Sequence, residues 1–170
     1  GILSCAKHFP GYGPAECDPH EFLPVISKSA TDMEKEELLP YRALLPEIDC
    51  VMTCHSNYTA YDPDRGRWPA SLSHNIVTKL LRHQYAFDGL AMTDDLDMEA
   101  LSGTVPERAE KAIAAGCDIA LNCWAKMADM TGICQRLPAM SEQTAARLAR
   151  TLSFTRLDGA SGDQAGLIAR

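Results

Sequence analysis

Phe87-Asp88-Gly89-Leu90-Ala91-Met92-Thr93-Asp94-Asp95-Leu96-Asp97-Met98 is an apolar run that enters through Gly and ends on two carboxylates. A short apolar run bounded this way predicts a buried strand, here over 89–93. Three more runs of the same kind lie on either side of it. Residues 3–7 lead into Lys7-His8-Phe9-Pro10-Gly11-Tyr12-Gly13, residues 48–53 close on His55, and residues 118–123 carry Asn122 near their end. Helical signals separate the runs. Thr31-Asp32-Met33-Glu34 opens a helix with a capping-box pattern, and Pro40 and Pro46 limit its length. Ser73 caps Ile76, Val77, Leu80 and Leu81, which share one helical face. Pro106 opens a helix that stops at Gly116, and helices are expected near 127–135 and 141–152. Residues 56–69 read as a long polar loop.

Strands alternating with helices predict a parallel sheet in an α/β protein. Lys7, His8, His55, Asp94, Asp95 and Asn122 all fall just after predicted strands, and the carboxyl ends of parallel strands are where such folds carry chemistry. Four βα units make half of an eight-stranded barrel, a fold that takes about 250 residues. The expected fold is therefore a partial (β/α)8 TIM barrel over 1–155. The Gly-, Ala- and Ser-rich residues 156–170 are expected to form a flexible tail.

With 170 residues, 46% of them hydrophobic, the chain can bury a core and is not disordered. A formal charge of -7 argues against nucleic acid as partner, because phosphate neutralisation needs clustered Lys and Arg. The apolar runs fall far short of the roughly 20 residues of a bilayer span, so no membrane is expected. Seven cysteines cannot all pair internally, and the reduced, cytoplasmic compartment is the simpler reading. No signal-peptide pattern opens the chain. The start Gly1-Ile2-Leu3-Ser4 reads like a strand and lacks Met, which suggests a segment upstream.

Asp18-Pro19-His20 sets a carboxylate two residues from an imidazole. Such a carboxylate can fix the tautomer and raise the basicity of the ring; the alternative is an Asx-type turn beside a solvated His. Asp94, nearest the strand, is a candidate nucleophile. Asp95 and Asp97 suit a helix N-cap and its acidic first turn. Lys7, His8 and His55 are candidates for polar contacts to a ligand, against the alternative of solvated strand ends. Cys50 and Cys54, four apart on a strand, would stand about 13 Å apart. That is too far for one zinc, so no metal site is expected. Trp68 and Trp124 could each stack on a sugar ring or pack a loop.

Read together, these segments resemble glycoside hydrolase family 3 in its β-N-acetylglucosaminidase branch. That branch carries Lys-His-Phe-Pro-Gly-His-Gly and then Asp-Ser-His, matched here by residues 7–13 and by Asp18-Pro19-His20. Its Phe-Asp-Gly, apolar pair, Ser/Thr-Asp-Asp-Leu, Met pattern matches residues 87–98. Val51-Met52 with His55, Pro69-Ala70-Ser71, Glu107-Arg108-Ala109 and Ala115-Gly116-Cys117-Asp118 extend the likeness.

The resemblance implies retaining hydrolysis of terminal non-reducing N-acetylglucosamine from β-linked glycosides of the cell-wall muropeptide type. Asp94 would be the nucleophile and His20 the acid/base, supported by Asp18. Lys7, His8 and His55 would bind substrate, with no cofactor and no metal. Tyr12 and Pro19 depart from the pattern, standing where the family has His and Ser. The resemblance covers the C-terminal half of the family's catalytic barrel. It implies that a missing N-terminal half, or a homo-oligomer, supplies the rest. A β-glucosidase or phosphorylase variant, a non-catalytic remnant, and a metal-dependent hydrolase using His8, His20, His55 and Asp94 are the alternatives.

Overall fold

The computed structural model describes residues 2–66 and 68–153. Its centre is a parallel sheet of β1 (Cys5–Phe9), β3 (Cys50–Thr53) and β5 (Leu90–Thr93), in the order β1-β3-β5. β3 lies between the other two, with Cys50 opposite both Cys5 and Leu90. Two further strands, β2 (Val25–Ile26) and β4 (Asn57–Tyr58), form a parallel pair of their own. Adjacent parallel strands joined by helical crossovers are the arc of a barrel, which agrees with the expected α/β class.

The helices follow the capping chemistry of the sequence. α1 (Ala30–Lys35) is capped by Ser29, whose Oγ accepts from the backbone N of Asp32, so the cap falls before the Thr31 expected from the pattern. Pro40 sits at the start of α2 (Leu39–Leu44), where its missing N–H is harmless, and Pro46 lies in a following 3₁₀ turn. Ser73 does cap the next helix, Asn75–Gln84, through Ile76, but that helix is wound in the wide π form. α3 (Val105–Ala115) has the full capping box of Thr104 and Glu107 and ends at Gly116 with φ 111°. A left-handed terminal residue favours glycine, and a Cβ there would also collide with Thr78 Oγ1. α4 (Met127–Arg136) and α5 (Glu142–Ser153) complete the described elements.

One apolar cluster joins the sheet to the first helices through Phe9, Met33, Leu38, Val51, Ile76 and Leu81. A second packs Val77 and Leu96 against Ala109, Ala112 and Ala115, small residues that let α3 approach closely. At the lower end of β5, Arg82 donates to the carbonyls of Phe87 (2.9 Å) and Gly89 (2.6 Å) and pairs with Asp118.

Three expectations need correction. β1 begins and ends two residues later than 3–7, because Phe9 rather than Leu3 is the residue drawn into the core. Lys7 and His8 therefore lie within β1 and not after it. Residues 118–123 do not form a regular fourth strand. One bridge pairs Ile119 with Met92, and side chains take over the remaining ladder: Asp118 accepts from Ala91 N (2.9 Å) and Thr93 Oγ1 from Leu121 N (2.9 Å). The supposed polar loop 56–69 contains the buried pair Asn57 and Tyr58, held because Tyr58 donates to Gly11 O (2.7 Å) and Asn57 to Trp68 O (3.0 Å). The expected tail, 156–170, lies outside the described residues.

Candidate active site

Asp94 is the first residue beyond β5, and its backbone N–H extends the ladder to Thr53 O (2.9 Å). Its Oδ1 accepts from Asp95 N (2.9 Å), which turns Oδ2 toward His8 Nε2, 3.5 Å away. Burial holds the His8 imidazole below its ordinary pKa, against the opposing pull of Asp94. The ring is thus neutral at neutral pH. Tyr12, which departs from the family's loop pattern, lies beside it at 5.1 Å between ring centroids.

Asp18 Oδ1 accepts twice from His20, from its backbone N (2.9 Å) and from Nδ1 (2.7 Å). A carboxylate can only accept, so the proton sits on Nδ1 and Nε2 is left to exchange one. The hydrogen bond from the His20 backbone, then the one from its ring, lower the Asp18 pKa. The bond to Asp18 in turn raises that of His20. Pro19 fits this turn, because the donors that Asp18 uses come from His20, Glu21 and Phe22. His20 O accepts from Glu99 N (3.2 Å), which ties its loop to the segment after Asp94. His8 thus meets Asp94 directly, while the Asp18–His20 turn is joined to the segment after Asp94 through Glu99.

His55 lies elsewhere. It is fully buried, with Nδ1 on Ser71 Oγ (2.7 Å) and Nε2 on Asp95 O (2.8 Å), and burial lowers its pKa. It offers no surface to a ligand or a metal and instead fixes the carbonyl of Asp95, the residue after Asp94. Lys7 is exposed on β1, opposite Met52. Asp95 and Asp97 tie down the next loop. Asp95 Oδ1 accepts from Cys123 N (3.0 Å), and Asp97 Oδ2 from Trp124 N (3.0 Å) and Asn122 Nδ2 (2.6 Å).

Sequence reasoning missed Arg108, which donates to the carbonyls of Leu96 (2.7 Å), Met98 (3.2 Å) and Leu101 and so shapes the loop carrying the acidic residues. The signal was a cation near the N-terminus of a helix, where the dipole disfavours it. A cleft of about 450 Å³ opens between the His20 loop and residues 95–99, with Trp124 on its wall.

The family model described as the Glycosyl hydrolase family 3 N terminal domain matches residues 1–153. A β-hexosaminidase of Tolumonas auensis is 39% identical over 127 residues, 72% of this chain and 37% of the relative. One of Chromobacterium violaceum is 34% identical over 161 residues, 93% of this chain and 44% of the relative. Among solved structures, the glycoside hydrolase family 3 β-N-acetylglucosaminidase of Paenibacillus sp. str. FPU-7 superposes with a TM-score of 0.79 at 30% identity, over 89% of this chain and 31% of that one. NagZ from Neisseria gonorrhoeae in complex with N-trifluoroacetyl-D-glucosamine gives 0.76 at 32% identity, over 89% and 42%. The chain thus spans well under half the length of these relatives, and over that span it belongs to glycoside hydrolase family 3.

Proposed function

We propose that this chain carries the nucleophile and acid/base side of a retaining β-N-acetylglucosaminidase. The observation that carries the reading is the Asp18–His20 pair, held by Glu99 N to the segment that follows Asp94 at the carboxyl end of β5. In the first step an Asp94 oxygen bonds to the anomeric carbon while the proton on His20 Nε2 passes to the glycosidic oxygen. The carbon–oxygen bond breaks and the aglycone leaves as an alcohol. In the second step neutral His20 takes a proton from water, whose oxygen displaces Asp94 from the anomeric carbon, so configuration is retained. Neutral His8 and Lys7 flank the sugar. His55 acts as a positioning residue through Asp95 O. The β-hexosaminidase names of the relatives support N-acetylglucosamine as the sugar.

A second reading has an observation behind it. Exposed Cys5 and Lys7 mark β1 as an outer strand, and β5 continues on its far side through the irregular segment of Asp118, Ile119 and Leu121 rather than a regular strand. An arc with such borders is completed by further barrel strands, from an N-terminal half or from a second copy. On this reading the described half binds no sugar unaided. We place the protein in the reducing cytoplasm, where its exposed thiols Cys5, Cys17, Cys123 and Cys134 would stay unoxidised.

Hydrolysis of a fluorogenic β-N-acetylglucosaminide by the soluble, size-fractionated chain, beside Asp94→Ala, tests both readings. Turnover that disappears in the variant supports a working site, and the size of the active species tells whether copies complete it. Turnover that survives Asp94→Ala removes Asp94 as nucleophile. Folded material without turnover favours the second reading.

A further inference from the structure

The leaving group that His20 protonates must lie against His20, and the cleft beside it is open. His20, Phe22, Met98 and Trp124 line that cleft. Trp124 is 59% exposed and Phe22 60%, although both belong to well-anchored backbone. Trp124 N is fixed on Asp97 Oδ2 (3.0 Å), and Phe22 N on Asp18 O (3.0 Å). Two large rings held out to water on rigid supports present apolar faces to whatever enters the cleft. Lys126 Nζ lies 4.3 Å from the Trp124 ring centroid, a cation–π contact on the indole.

We propose that Trp124 is the stacking platform for the leaving group, and that the cleft takes a neutral or cationic sugar or aryl aglycone in preference to an anionic one. This rests on the reading of His20 as the acid. Stacking suits an aglycone with a flat apolar face, since sugar C–H groups and aryl rings both pack on indole. Charge selection comes from the remaining walls. Exposed Glu21 and Glu99 line the cleft together with Asp95 and Asp97, whose carboxylates also hold backbone N–H groups of the neighbouring loop, and Lys126 offsets only part of this charge. An anionic leaving group would meet like charge on several sides.

The test needs no turnover, so its result is separable from that of the hydrolysis assay. The indole N–H resonance of Trp124 is assigned by its loss in Trp124→Phe. The full chain is then titrated with glucose, glucosamine and glucuronate, which share a ring and differ in charge. The Trp124 resonance should shift saturably with glucose and glucosamine, and at least about threefold more weakly with glucuronate. Sugar binding seen by saturation transfer should persist in Trp124→Phe, which keeps a ring, and fall in Trp124→Ala. A Trp124 resonance that none of the sugars moves overturns the platform. Glucuronate binding as tightly as glucose overturns the charge selection. Hydrolysis with an unmoved Trp124 would leave the proposed activity standing and remove this inference; a shifted Trp124 without hydrolysis would leave a sugar platform but overturn its assignment to a leaving group.

Discussion

His8 Nε2 and Asp94 Oδ2 approach to 3.5 Å although they belong to β1 and to the end of β5, strands separated by β3. A flat sheet would hold residues two strands apart at roughly 9.5 Å. The curvature of the arc, together with the register irregularity between Lys7 and Phe9, swings the imidazole across β3. His8 is half-buried, neutral and close enough to the carboxylate to orient it.

His8→Ala should therefore lower kcat/KM on an aryl β-N-acetylglucosaminide by about 10- to 100-fold, or roughly 1.4–2.8 kcal/mol of barrier. The circular dichroism spectrum should not change, because the side chain is 26% exposed and outside the apolar clusters. An unchanged kcat/KM would remove His8 from the site.

The Asp18–His20 pair makes a prediction about pH. His20 must be protonated to give the aglycone its proton, and Asp18 raises the pKa at which that proton is lost. The alkaline limb of kcat/KM is thus displaced upward. Asp18→Asn keeps a hydrogen-bond acceptor but removes the charge, so the alkaline limb should move to lower pH. The loss should be largest for poor leaving groups, which need the proton most. Profiles for a dinitrophenyl and a methyl glycoside would check both points; superimposable limbs in wild type and variant would sink the role of Asp18.

The Asp18–His20 pairing and the position of Asp94 were legible in the sequence because each is a local signal, a carboxylate two residues from an imidazole or at the end of an apolar run, whereas the roles proposed for them came from the family resemblance. His55 was legible as a residue and not as a role. Its burial depends on Ser71, 16 residues away, and on the Asp95 carbonyl, 40 away, contacts that no local pattern encodes. The fourth strand misled for a related reason. Its composition suits a strand, but Thr93 Oγ1 and the Asp118 carboxylate occupy the ladder positions that backbone groups would have filled. Arg108 stood in the sequence as part of a family match and as an exception to the helix-dipole preference, but neither signal encodes the Leu96, Met98 and Leu101 carbonyls it holds.

His55 also sets a stability prediction. Burial lowers its folded pKa, so the native ring resists a proton that the unfolded ring accepts near 6.5. The unfolded state binds more protons below that value, and stability falls as pH drops through it, by up to about 1.4 kcal/mol per pH unit for one proton. Exposed His20, with its pKa raised, works in the opposite sense, so the comparison should be made within one background. Urea unfolding at pH 5.5 and 7.5 should show a smaller pH-dependent loss in His55→Gln than in the wild type. Equal losses would mean that His55 titrates normally and is not buried as described.

Asp118 supports the site from below. Its carboxylate is 2% exposed and meets Arg82, Arg147 (3.1 Å), Thr144 Oγ1 (2.8 Å) and Ala91 N (2.9 Å). Arg82 in turn holds the carbonyls of Phe87 and Gly89 at the entry to β5, and β5 delivers Asp94. Removing one partner of a buried pair leaves an uncompensated charge, which costs more than the pair itself is worth. Asp118→Ala should destabilise the fold by about 3–5 kcal/mol in urea, because the buried Arg82 guanidinium loses its counter-charge while Arg147 keeps only Asp88. Asp118→Asn keeps the shape and some of the hydrogen bonds and should fall between Asp118→Ala and the wild type. A loss under about 1 kcal/mol in Asp118→Ala would place it in the range of solvent-exposed ion pairs, and the support of Asp94 would have to come from the β3–β5 ladder alone.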